Sequence, residues 1–311
     1  RDLLGHHRRQ SQMCIRDRLS TCPWDESKQV LRIGLKGKEV PMENIPSGNL
    51  VFLIDVSGSM SSANKLPLLK KSLELLVEQL RVEDKISIVV YAGAAGAVLQ
   101  PTPGNEKATI LDAISRLSAG GSTAGGAGIE LAYKLAAKHF VKGGNNRVIL
   151  ATDGDFNVGI SDNQGLENLI AQKRETGIFL TVLGFGTGNY QDQKMEILAD
   201  KGNGNYAYID NLREAKKVLV EEFGGTLFTI AKDVKIQLHF NPKEVASYRL
   251  VGYENRLLAA RDFDNDAIDA GEMGSGHTVT ALYEIIPTDK SNPFTASQDS
   301  ALMAATDSVQ I

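Results

Sequence analysis

The chain has 311 residues, 42% of them hydrophobic, with 34 Lys and Arg against 38 Asp and Glu for a net charge of −4. That is enough apolar material for one sizeable core and a smaller second unit. No basic block follows a strand or helix pattern and aromatics make up only 6%, which argues against a nucleic-acid partner. No apolar run approaches the ~20 residues of a membrane-spanning helix, so no transmembrane segment is expected in this stretch.

In chain order, residues 1–20 (RDLLGHHRRQSQMCIRDRLS) show no periodicity. They are expected to be non-native or disordered, or a solvated basic arm. Cys14 and Cys22 are too few for a disulfide framework or a cysteine-built zinc site. Residues 21–48 read as an N-terminal strand and linker: KQVLRIGLK (28–36) alternates like a half-exposed strand, and PMENIPSGN (41–49) has linker composition.

From Asn49 apolar strands alternate with amphipathic helices. Strands are expected at 49–54, 85–92, 147–152, 178–186 and 205–210, with an edge strand at 97–102 beside Pro101 and Pro103. Helices are expected at 64–80, 108–117, 129–140, 165–175, 190–201 and 211–228, the last with a break at Gly224 and Gly225. This pattern is an α/β fold: a doubly wound, mostly parallel sheet covered on both faces, over 49–230. Strands of period two follow at 233–240, 246–254 and 276–287. They predict a small accessory antiparallel β unit over 231–290, paired with the strand at 28–36. Residues 291–311 read as a linker or the truncated start of a further region.

The strand NLVFLI runs straight into Asp55, followed by Ser57 and Ser59 on alternate positions with Gly58 between them. In a parallel sheet this is the end where ligands bind. Asp153, in VILATDGD, holds the same place on another strand, and SAGGSTAGGAG (118–128) is a Gly-rich loop holding Thr123. Carboxylates and hydroxyls form a hard, all-oxygen donor set suited to Mg2+ or Mn2+. The plainer alternative is that Ser57 and Ser59 cap a helix.

DVSGS at 55–59, GST at 121–123 and TDGD at 152–155 resemble the metal-ion-dependent adhesion site of von Willebrand factor type A domains. The resemblance implies that Ser57, Ser59 and Thr123 bind the metal directly, while Asp55 and Asp153 act largely through bound water. A sixth position is left for an Asp or Glu carboxylate of a protein partner. Around the metal, Gly58, Met60, Gly121, Ser122, Gly154 and Asp155 are expected to form the partner-binding rim. CPW at 22–24, YAGAAG at 91–96 and GHTVTALYEI at 276–285 resemble bacterial proteins of this family of the YfbK-like type. That likeness implies an extracytoplasmic setting, periplasmic or outer-surface, with any signal or lipid anchor lying upstream.

Other sites are weaker. GFGTGN (184–189) lacks the third Gly of a dinucleotide loop and reads as a turn before a helix. DFDNDAIDAGEM (262–273) begins like a calcium-binding loop but has Ala267 and Met273 where Gly and Glu are required. The five histidines are scattered, so acid–base catalysis by histidine has no support. The expectation is a non-enzymatic, metal-dependent adhesion or assembly module. The alternatives are a Mg2+-dependent hydrolase or phosphatase, and a structural envelope component in which the metal only staples loops. A phosphatase of the aspartyl-nucleophile type wants a second Asp where Ser57 stands.

Overall fold

A computed structural model describes residues 13–41, 44–92, 94–120, 125–154, 163–186, 192–221, 229–252, 271–288, 303–304 and 309–310. The chain opens with strands β1 (Met13–Cys22) and β2 (Asp25–Gly37). There follow β3 (Gly48–Asp55), α1 (Leu66–Gln79), β4 (Lys85–Ala92), β5 (Ala94–Pro103) and α2 (Lys107–Ser115). Next come α3 (Gly125–Lys138), β6 (Asn145–Thr152), α4 (Asn163–Arg174), β7 (Phe179–Phe185), α5 (Asp192–Lys201), β8 (Tyr206–Ile209) and α6 (Leu212–Lys216). The last strands are β9 (Thr229–Val234), β10 (Gln237–Leu238), β11 (Val245–Val251), β12 (Gly271–Gly274), β13 (Thr278–Pro287), β14 (Met303–Ala304) and β15 (Val309–Gln310).

These elements divide into two units, one spanning 40–228 and the other drawing on 1–39 and 229–311. In the first, six strands lie in the order β5-β4-β3-β6-β7-β8. All pairs are parallel except β4 with β5. The expected doubly wound, mostly parallel sheet is present. β3 is buried along its whole length. Its alternate side chains serve two cores: Leu50, Phe52 and Ile54 pack with α1, α2 and α6, while Val51 and Leu53 pack with α3, α4 and α5. Each such side chain contributes about 1.5–3 kcal/mol of burial free energy. The antiparallel edge strand β5 tolerates Pro101 and Pro103 because one side of it has no ladder to feed.

The chain moves from β3 outward to β4 and then returns to the other side of β3 as β6. Neighbouring connections therefore diverge between β3 and β6, at the carboxyl ends of both strands. This is the crevice where open α/β sheets bind ligands. At the opposite end Arg81 donates to the carbonyls of Ile45 and Pro46 and to Asp84, which also accepts from Gly48 N–H. That clamp fixes where β3 enters the sheet.

The second unit is a five-stranded antiparallel sheet in the order β1-β2-β13-β11-β14, with two-stranded ribbons β9–β12 and β10–β15. The expected pairing of the 28–36 strand with the C-terminal strands is present in β2–β13, with Leu35 opposite Val279 and Leu31 opposite Tyr283. Leu31, Ile33, Phe240, Tyr248 and Tyr283 form its core. Glu284, between the core residues Tyr283 and Ile285 on β13, is also buried and accepts hydrogen bonds from Arg249 Nε at 2.7 Å and from Trp24 Nε1.

Three sequence readings change. Residues 13–20 were expected outside any fold but form most of β1. Their side chains from Cys14 to Thr21 are exposed, so no inside–outside alternation marks them. The helix expected over 211–228 is α6 followed by a π-helical turn, Lys217–Glu221. Its expected break at Gly224 and Gly225 lies outside the described residues, as does most of the acidic loop 262–273. The strand expected over 233–240 is split into β9 and β10.

Candidate functional site

Asp55 closes β3 in register with Tyr91 of β4, and Ile54 lies opposite Ala151 of β6. The carboxylate is fully buried. It accepts from Ser57 N–H at 2.8 Å, from the Tyr91 hydroxyl at 3.2 Å and, at 3.5 Å, from Thr152 Oγ1. Burial pushes its pKa above the ordinary aspartate value. The bonds from Ser57 work against that rise, and the charge of Asp153 adds to it. Burial and then the Asp55 charge hold the Tyr91 phenol well above its usual pKa, so it stays a donor.

After Asp55 the backbone leaves the sheet and turns through a short 3-10 segment, Gly58–Ser61. The turn sets Ser57 Oγ and Ser59 Oγ 2.9 Å apart. The capping alternative fails here: Ser57 makes no side-chain cap bond, and α1 begins only at Leu66, behind Lys65. The hydroxyls thus keep lone pairs for another ligand. Met60 corrects another reading. It was expected on the partner-binding rim, but the same turn carries it inward, where it is fully buried in the core with Leu66 and Leu69. Gly58 and Ser59 are exposed.

Asp153 follows β6 and is nearly buried. Gly154 comes next at φ +93°, a left-handed turn that glycine adopts without steric cost, and donates to Thr152 Oγ1. Lys65 Nζ donates to Asp153 Oδ2 at 2.8 Å. Residues 121–124 and Asp155 lie outside the described residues, so Thr123, Gly121, Ser122 and Asp155 keep their sequence-based assignments only. The described start of the Gly-rich loop does reach this place: Gly120 N–H donates to Val56 carbonyl oxygen at 2.7 Å. A Cβ at Gly128 would stand 2.9 Å from Tyr91 Cβ, so this glycine allows α3 its close approach to β4.

Asp55, Ser57, Ser59 and Asp153 thus sit at the carboxyl ends of two adjacent strands or in the turn that leaves one of them. Sequence reading missed Tyr91, Thr152 and Lys65. The signal for Lys65 was its position: a cation at a helix N-terminus opposes the helix dipole and needs a local reason. Among the described residues no group of three or more His, Cys, Asp or Glu comes together; the donor set here is two carboxylates with hydroxyls. Nor, among them, is any helix long and apolar enough to cross a membrane.

Residues 49–221 match the von Willebrand factor type A domain, and residues 225–309 match the family described as "Uncharacterized protein YfbK, C-terminal". The chain is 50% identical over 271 residues to "Uncharacterized protein YfbK" of Escherichia coli K12, covering 87% of this chain and 47% of that protein. It is 31% identical over 192 residues to "Uncharacterized protein sll0103" of Synechocystis, covering 61% and 44%. The chain therefore spans about half the length of these curated relatives. Among solved structures, a von Willebrand factor type A protein from Catenulispora acidiphila superposes with a TM-score of 0.54 at 16% identity, over 96% of this chain and 73% of that one. That likeness concerns the fold. Sheet, switch point and matched segments agree: the chain belongs to the von Willebrand factor type A domain family, joined to a C-terminal region of the YfbK kind.

Proposed function

We propose that this chain is a divalent-cation-dependent protein-binding module. In this reading Asp55, Ser57, Ser59, Thr123 and Asp153 hold Mg2+ or Mn2+, and an Asp or Glu of a protein partner completes the shell. Domains of this family commonly bind protein partners. The observation that carries the metal reading is the pair of uncapped hydroxyls, Ser57 and Ser59, beside two buried carboxylates at the switch point. The donor set is all oxygen, which fits a hard cation and not zinc. Asp55 adds a second reason: its buried charge is opposed by desolvation and by Asp153, and a bound cation relieves both. The cation would supply one strong, directional bond to a carboxylate and little to a neutral group. An extracytoplasmic setting belongs to the same proposal and rests on the resemblance to YfbK-like proteins.

The test is a Mn2+ titration followed by water-proton relaxation, with and without concentrated free glutamate. Saturable binding that tightens with glutamate and is lost in Asp55→Ala, with the fold retained, is the expected result. Binding indifferent to glutamate would support a loop staple instead, and no binding at all would end the metal reading.

A second reading, a Mg2+-dependent phosphatase, gains one observation: a cation, Lys65, stands beside Asp153. Against it, Ser57 occupies the position where that chemistry needs a carboxylic acid. Mg2+-dependent hydrolysis of p-nitrophenyl phosphate that disappears in Asp55→Asn would favour it over binding.

A further inference from the structure

Lys65 is out of place by the usual rules. It stands at the N-cap position of α1, where the helix dipole disfavours a cation, and makes no capping bond there. Its side chain is directed to Asp153 Oδ2 at 2.8 Å, and only 17% of the lysine side chain and 4% of the aspartate side chain remain exposed. The route between them is prepared. The lysine stem crosses Gly186, where an added Cβ would stand 2.9 Å from Lys65 Cγ and 3.1 Å from Cδ. Gly186 has φ +89°, and its carbonyl accepts a hydrogen bond from the Tyr208 hydroxyl. Backbone conformation and the missing Cβ at the end of β7 thus leave a track that any larger residue would fill. GFG at 184–186, which resembled an incomplete phosphate loop, has its use here.

Asp55 and Asp153 are like charges facing each other in a desolvated place. Without a cation such a pair is unfavourable. We infer that Lys65 is the resident counter-cation of this site: its ammonium neutralises Asp153 in the metal-free protein, and a divalent cation loads by displacing it. This inference rests on the metal-binding reading above. It adds that loading is an exchange of cations, so Lys65 stabilises the empty site and at the same time lowers its affinity for metal. A merely structural lysine would act in the opposite direction, because its loss would loosen the site and weaken metal binding.

The experiment is the same Mn2+ titration on the full chain and on Lys65→Gln. The variant is expected to bind Mn2+ about tenfold more tightly, the lower end of what a neighbouring opposite charge does to an ionisable site, chosen because Lys65 is partly solvated. Its metal-free form is expected to melt a few degrees lower, with added Mn2+ closing the gap. Unchanged or weaker Mn2+ binding in a folded Lys65→Gln overturns the inference and leaves the metal reading standing. If neither the unmodified chain nor Lys65→Gln binds Mn2+, the metal reading fails and the inference with it; binding seen only in Lys65→Gln supports both the site and the role of Lys65. Should Lys65→Gln not fold, acylation of Lys65 in the unmodified chain decides, read by peptide mass spectrometry. Mg2+ is expected to raise its rate several-fold as the amine leaves Asp153, and an unchanged rate overturns the inference.

Discussion

Replacing Tyr91 by Phe removes one oxygen from a place that water does not reach. The Tyr91 hydroxyl donates to Asp55 Oδ2 at 3.2 Å, and both residues are fully buried. A hydrogen bond to a charged group contributes about 1.5–3 kcal/mol, so Tyr91→Phe should destabilise the metal-free 40–228 unit by about that amount at pH 7. For a unit of this size the loss corresponds to roughly 3–12 °C in melting temperature. The pH dependence is more telling. The folded-state pKa of Asp55 lies above its ordinary value, which is about 3.9. Its contribution to stability is therefore fully present below pH ~4 and is lost as pH rises through the folded value. The Tyr91 bond pulls that pKa down, so the variant moves it further up and deepens the loss at neutral pH. Where Asp55 is protonated the bond joins two neutral groups and its removal costs about 1 kcal/mol, so the deficit of the variant shrinks as pH falls. Hydrogen exchange of the β3 and β4 peptides in EDTA reads this unit directly, whereas the single tryptophan, Trp24, lies in the other one. A cost that stays constant as pH falls from 7 into the acid range, or no cost at any pH, would refute the reasoning, because the phenol would then not be serving an ionised Asp55.

Arg81→Met should cost about 2–3 kcal/mol, less than the ~3–5 kcal/mol of a fully buried broken pair, because Arg81 keeps part of its side chain in water. Burial alone would raise the Asp84 pKa, yet the bonds from Arg81 and Gly48 bring it below the ordinary value. The pair's contribution is therefore present above pH ~4 and fades as pH falls through the folded pKa; urea unfolding at pH 7 and pH 3.5 should show the variant's deficit shrinking in acid. Glu284→Gln leaves Arg249 and Lys28 facing a neutral amide. Loss of about 2–4 kcal/mol from the β unit is expected, with altered Trp24 emission because its indole N–H loses a charged acceptor; unaltered emission would mean the indole bond is absent in solution.

Local pattern decided much of this fold in advance. β3 and β4 lie within a residue of their apolar runs because buried parallel strands are apolar throughout and end abruptly. The β1 strand left no such mark, since both its faces meet solvent, and only its register with β2 defines it. At the site, Asp55, Ser57, Ser59 and Asp153 were visible because strand-end spacing is a local property. Tyr91 and Lys65 were not, because their roles arise from convergence: Tyr91 faces Asp55 across a strand pair, and Lys65 crosses Gly186 to reach Asp153. Met60 failed for a related reason. Sequence proximity to the site said nothing of the turn that sends its side chain into the core.

The β2–β13 pairing imposes an order of events on the ribosome. β2 carries Leu31, Ile33 and Leu35, and the strand that covers them emerges only after the whole 40–228 unit has been made. At ~5–20 residues per second, that half-sheet waits roughly twelve to fifty seconds for β13 while the inserted unit can fold on its own. During the interval the open edge and apolar face of β2 are available to chaperones or to other nascent chains. Substitutions in β13 should therefore lower the yield of soluble protein more than their effect on final stability alone would suggest.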